Sequence, residues 1–110
     1  MAAVGQEVTV TTSATLIFEC IDTTTYLGLS NPAANIFQAK EPADPLPLLI
    51  VIPTGSTVYL GGSGVTASST GVGCPVVGPN ILSYNAVGGD SLYGIVGSST
   101  AVVGVLAMRQ

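Results

Sequence analysis

The sequence predicts an all-β domain, an antiparallel β-sandwich or jelly-roll-like barrel, and three observations lead there. Short runs of Val, Ile, Leu, Thr and Tyr recur along the 110 residues, and these residue types fit a pleated, half-buried surface. Clusters of Gly, Pro, Ser and Asn punctuate the runs at roughly ten-residue intervals, the spacing of an antiparallel sandwich. Almost no stretch places apolar residues at the 3.6-residue period of a helix, so helix content is expected to be slight.

Glu7-Val8-Thr9-Val10-Thr11 alternates polar and apolar, the period of a half-buried strand. The residues before it, Met1, Ala2, Ala3, Val4, Gly5 and Gln6, read as a short flexible arm outside the β core. Thr15–Ile21 follows the break at Thr12-Ser13-Ala14, Asp22–Thr25 reads as a turn, and Tyr26–Leu29 and Asn35–Ala39 read as short strands. Charge and proline concentrate in Lys40-Glu41-Pro42-Ala43-Asp44-Pro45-Leu46-Pro47, which is expected to be an exposed loop. Leu48–Ile52 is a continuous apolar run closed by Pro53, the pattern of a central strand covered on both faces. Thr57–Leu60 is the next strand; Gly61–Asn80, rich in Gly, Ser and Thr, is expected to be loop with at most short strands inside. Ile81–Val87, Ser91–Val96 and Ala101–Met108 complete the chain.

Length fits a single domain large enough to close one core. Only 7% of residues are charged, and Lys40 and Arg109 are the only cations, against roughly 25% charged in ordinary domains. The surface must therefore be covered by neutral polar residues or by copies of the chain itself. The apolar runs Leu46–Ile52 and Ala101–Met108 fall well short of the roughly 20 residues of a membrane-spanning helix. The start of the chain lacks the features of a secretory signal, so synthesis and retention in the cytosol are expected. A net charge of −4 without a basic stripe argues against nucleic-acid binding.

The chain has no histidine, which removes Ser-His-Asp and Cys-His catalysis and the commonest metal ligand. Neither Gly61/Gly62/Gly64 nor Gly71/Gly73 is followed by Lys-Ser/Thr or opens a helix, so both are turn glycines rather than phosphate cradles. Glu19 with Asp22, or Asp44 with Asp90, are the conceivable acid/base pairs, but nothing places them together and solvated carboxylates are expected. Asp90, after two glycines, suits a turn in which its side chain accepts from nearby backbone amides. Cys20 and Cys74 are expected to be reduced, small apolar residues. Tyr26, Tyr59, Tyr84 and Tyr93 offer an aromatic face, with core or cross-strand packing as the expected role. No catalytic, cofactor or metal residue is assigned, and no enzymatic activity is expected.

Val58-Tyr59-Leu60-Gly61-Gly62-Ser63-Gly64-Val65-Thr66, then Gly71, then Gly89-Asp90-Ser91-Leu92-Tyr93-Gly94-Ile95, then Thr100-Ala101-Val102-Val103-Gly104-Val105-Leu106, resembles small virion structural proteins of tailed bacteriophages. In that group a strand ending in Tyr-Leu-Gly leads to a Gly/Thr-rich loop, a Gly-Asp-Ser-Leu-Tyr strand and a terminal Val-rich strand. The resemblance covers about half the chain, from Pro53 onward. It implies a capsid decoration, or cement, protein made in the host cytoplasm and carried on the capsid surface of the virion. The partners implied are the phage major capsid protein and the chain itself, as a homo-oligomer, with a trimer suited to local three-fold lattice positions. Contact with the head is expected from the arm, Met1 to Gln6, and from the loop Glu41, Pro42, Ala43, Asp44, Pro45 and Leu46. A tail, fibre or head-completion subunit is the alternative within virion proteins. A small carbohydrate-binding module is the alternative from another class, with the lack of Trp counting against it.

Overall fold

The computed structural model describes residues 2–22, 36–39, 46–67, 71–87 and 89–109. They form nine strands and, among the described residues, no helix: β1 (Ala2–Val10), β2 (Thr15–Asp22), β3 (Ile36–Ala39), β4 (Leu46–Ile52), β5 (Thr57–Gly61), β6 (Cys74–Val77), β7 (Asn80–Ala86), β8 (Ser91–Ile95) and β9 (Ala101–Arg109). Two sheets result, ordered β1-β9-β4-β7 and β3-β2-β8-β5-β6. Every pair is antiparallel except β2 with β3.

The pairing is nested. β5 pairs with β6 around the tip of the chain, β4 with β7 outside them, β2 with β8, and finally β1 with β9, where Ala2 faces Arg109. The chain is thus one long hairpin, bent over so that β4 also pairs with β9 and β5 with β8. With β3 as an addition, this is the strand order of a double-sheet jelly roll. The tip folds on itself: the Thr66 amide donates to the Val72 carbonyl (2.9 Å) and the Val72 amide to Thr66 Oγ1 (2.9 Å). At the other end of β6, the Gly78 amide donates to the Ser56 carbonyl (2.8 Å). A side chain at Gly78 would overlap the Pro53 carbonyl, so the approach of the β6–β7 link to the β4–β5 turn requires glycine there.

Alternate residues fill the space between the sheets. Leu46, Leu48, Ile50 and Ile52 of β4 and Ala101, Val103, Val105 and Ala107 of β9 are buried, with Val8 and Val10 beside them. Ile17, Phe18, Cys20, Val58 and Leu60 face them from the second sheet. Burying one such aliphatic side chain stabilises by about 1.5–3 kcal/mol, and no polar or charged residue among those described is buried. In β2 the alternation slips: the register with β8 shifts between Leu16 and Phe18, and the adjacent Ile17 and Phe18 are both buried. This bulge turns one extra large side chain inward. Gly94 makes room for it, because a Cβ there would sit 2.7 Å from Ile17 Cδ1 and 3.2 Å from Val58 Cγ1.

Three expectations are corrected. Ala2–Gln6 is no free arm but the first half of β1, laddered to β9 from Arg109 to Val105. β4 is an interior strand, but only one of its faces is covered, since Val51 is 41% exposed and Pro47 and Leu49 are half-buried. Cys74 is exposed on the edge strand β6, although Cys20 is a core residue, and neither is in a disulfide. The strand read at residues 26–29 and the loop at 40–45 lie outside the described residues.

The Gly94–Ile17 contact gives a double-mutant test. Gly94→Ala alone should destabilise by about 1–3 kcal/mol through overpacking, and Ile17→Val alone by about 0.5–1.5 kcal/mol. Because the valine removes Cδ1, the double variant should lose less than the sum of the two in urea denaturation.

Candidate interaction surface

Strand geometry sends residues 47, 49 and 51 of β4 and 102, 104 and 106 of β9 away from the core. Cross-strand register then assembles a face on the four-stranded sheet. Leu49 lies opposite Leu106, and Val51 lies opposite Gly104 on one side and Ile81 on the other. Ile81 is 64% exposed and Val102 46%. Among the described residues Glu7, paired with Gly104, is the one charged side chain on this face. Neutral Thr9, Ser83 and Asn85 border it.

A shallow trough of about 280 Å³ crosses this face, lined by Gly5, Glu7, Val51, Gly104 and Leu106 among others. It exists because Gly5 and Gly104 have no side chains. A Cβ on Gly104 would lie 3.5 Å from Val51 Cβ, and one on Gly5 would lie 3.8 Å from Leu106 Cδ1, both ordinary contacts. The packing of the single chain therefore does not demand glycine at either place. A glycine inside a strand weakens it, and often marks the close approach of another surface.

The contact residues expected from sequence fare differently. Ala2 to Gln6 sit in the edge strand β1, where Gly5 and Gln6 border the trough. Leu46 is 1% exposed, a core residue at the start of β4, and so is not available as a contact. Met1 and Glu41 to Pro45 lie outside the described residues. Sequence reading placed Leu49, Val51, Val102 and Leu106 in runs suited to buried or subunit-facing strands without assigning them as contacts, and did not single out Ile81. Their signal was present, as apolar residues at both even and odd positions of Leu46–Ile52 and Ala101–Leu106.

The polar chemistry is structural. Asp90 Oδ2 accepts from the Val87 amide (2.9 Å), as expected, and also from the Tyr84 hydroxyl (3.0 Å). The Asp90 carbonyl accepts from the Cys20 amide (2.7 Å), so this turn fastens β7 to β2. The Tyr84 ring stacks at a tilt on Phe18 of the opposite sheet, centroids 5.7 Å apart. The bond to Asp90 first of all, then burial and electrostatic interaction with Asp90 and Cys20, push the Tyr84 phenol above the ordinary tyrosine range. Among the described residues no group of three His, Cys, Asp or Glu side chains could hold a metal. Glu19 on β2 pairs with Ser91, the residue after Asp90, and Asp44 lies outside the described residues. No helix of the described residues is long and apolar enough to cross a membrane.

No family model, curated protein or solved structure matches this chain.

Two outcomes follow from these contacts. Deleting residues 1–6 removes five of the β1–β9 pairs and should lower unfolding free energy by about 2–4 kcal/mol, at about 0.5–1 kcal/mol per ladder bond; denaturant titration checks this. Raising the phenol pKa favours the neutral form, so the Tyr84–Asp90 contribution is complete below the ordinary tyrosine value of 10.0 and is lost as pH rises through the folded value. Tyr84→Phe should accordingly flatten the alkaline fall of thermal stability while leaving the shape of the curve near neutrality unchanged.

Proposed function

We propose that this protein is a non-enzymatic structural subunit of a tailed-phage virion, a capsid decoration protein that binds the head surface as a homo-oligomer. One observation carries the reading: an apolar, nearly charge-free sheet face, centred on Gly104, that the described residues leave uncovered. The absence of histidine and the structural employment of Asp90 and Tyr84 support a role without catalysis. The resemblance from Pro53 onward supports the virion setting, and its first two strings fall on the paired strands β5 and β8. Jelly rolls serve in viral capsid and lectin domains alike, so the architecture is compatible with the reading but does not choose it.

The occupant of the face is a second copy of the chain. Four strands about 4.8 Å apart and seven to nine residues long at about 3.4 Å each give roughly 500 Å² per partner. Twice that, about 1,000 Å² in total, meets the minimum for a specific interface. A three-fold arrangement of such copies is the one that suits local three-fold lattice positions. Weak contact per subunit suffices on a capsid, because an oligomer engaging several lattice sites gains avidity.

Light scattering should return about three times 10.9 kDa for the native protein. Gly104→Val fills the trough and Val51→Glu charges it; each should release a monomer whose melting temperature stays within a few degrees of the parent, since exposed substitutions change stability by about 0.5 kcal/mol. A native monomer, or variants that remain oligomeric, would remove this face from the model. Densitometry of virions should give hundreds of copies at a fixed ratio to the major capsid protein. A handful of copies would instead assign the chain to the tail, a fibre or the head-completion apparatus.

A further inference from the structure

The sheet opposite the apolar face carries a second feature at one end of the sandwich. A cleft of about 410 Å³ lies between the β4–β5 turn and the β8–β9 turn, a volume within the usual range of ligand sites, about 300–1,000 Å³. Six hydroxyls line it, those of Ser56, Thr57, Tyr59, Ser98, Ser99 and Thr100. None of the six has a hydrogen-bond partner among the described residues. The tyrosine ring is half-buried, facing outward between the inward-facing Val58 and Leu60.

The walls are fixed although the hydroxyls are uncommitted. The Ser56 carbonyl accepts from the Gly78 amide (2.8 Å), which holds one wall. The Val96 amide donates to the Thr11 carbonyl (3.0 Å), and the Val96 side chain is buried, which holds the other. Ser99 is the one non-glycine residue with positive φ (59°) among those described. Holding serine in this conformation costs about 1 kcal/mol, and such outliers gather at ligand sites.

We propose that this cleft binds a neutral saccharide. No side chain lining it carries a charge at neutral pH, so a phosphate or carboxylate ligand finds no partner in it. Hydroxyls both donate and accept, which matches a polyol whose own hydroxyls do the same. The tyrosine offers an apolar ring face with a polar tip, suited to the mixed surface of a sugar ring. Because the cleft lies on the β5 side and the apolar face on the β9 side, the site stays open when the other sheet is covered. The inference goes beyond the proposed structural role and does not depend on it.

The test is amide-detected NMR titration of the full chain with maltose, lactose and chitobiose as probes, with sialyllactose as the anionic comparison. At least one neutral disaccharide should bind saturably with millimolar Kd or tighter, shifting amides of residues 55–59 and 96–100. The sialylated sugar should bind no more tightly than lactose. Thr57→Val and Ser98→Ala, both exposed, should keep the fold and together weaken binding about tenfold, the equivalent of one or two lost hydrogen bonds; Tyr59→Ala should abolish it. No saturable shift with any of the three neutral probes, shifts centred elsewhere, or undiminished binding by the Thr57/Ser98 variant would overturn the site. Oligomer mass and virion copy number are unaffected by any of these outcomes, so the two proposals fail separately.

Discussion

The two-residue period of the extended chain is the constraint on which the rest of this structure depends. A strand that turns Leu48 and Ile50 into the core must turn Leu49 and Val51 away from it. In most antiparallel sandwiches the outward set is polar and the matter ends there. Here β4 and β9 are apolar on both parities, and they are neighbours in the middle of one sheet. The same ladder that builds the core therefore builds an apolar outer face, and the glycine at position 104 hollows it. Core and apolar outer face are two sides of one decision about strand composition.

The other sheet resolves the constraint differently. Its outward residues include Thr57, Tyr59 and Glu19, and its ends carry the serine-rich turns. Where the alternation would waste a large side chain on solvent, the β2 bulge turns Ile17 inward next to Phe18, and Gly94 on the neighbouring strand yields the space. The two faces of the molecule thus differ in chemistry, one apolar and shallow, the other hydroxylated and cleft-bearing. A subunit attached through the first presents the second.

Much of this was legible in the amino-acid order. The alternation of Glu7–Val10, the turn chemistry of Asp90, and the punctuation by Gly97-Ser98-Ser99 and Pro53-Thr54-Gly55 fix strand type and approximate limits locally, because they act within a few residues. What escaped was what depends on distant partners. Ala2–Gln6 has weak strand character, and its pairing comes from Val105 to Arg109, at the other end of the chain. Pro45 disguised Leu46 as loop, since a buried position is set by the opposing sheet and not by its neighbour in sequence. A run of leucine, isoleucine and valine states that both faces avoid water, but not whether the second cover comes from the same molecule. The cleft was hidden for a similar reason: its hydroxyls come from two turns about forty residues apart, and serine in a turn is ordinary by itself.

The nested hairpin also bears on the order in which the chain organises. If Ala2 met Arg109 directly from the unfolded state, the contact would close a loop spanning nearly the whole chain. If β5–β6, β4–β7 and β2–β8 are already in place, it closes only residues 11–14 and 96–100. A closed segment about ten times shorter lowers the closure entropy by about 2 kcal/mol. Zipping outward from the tip is therefore the route of least entropic cost. β1, made before the other eight strands, then becomes the last of them to find its place, because its partner β9 is made after all the others.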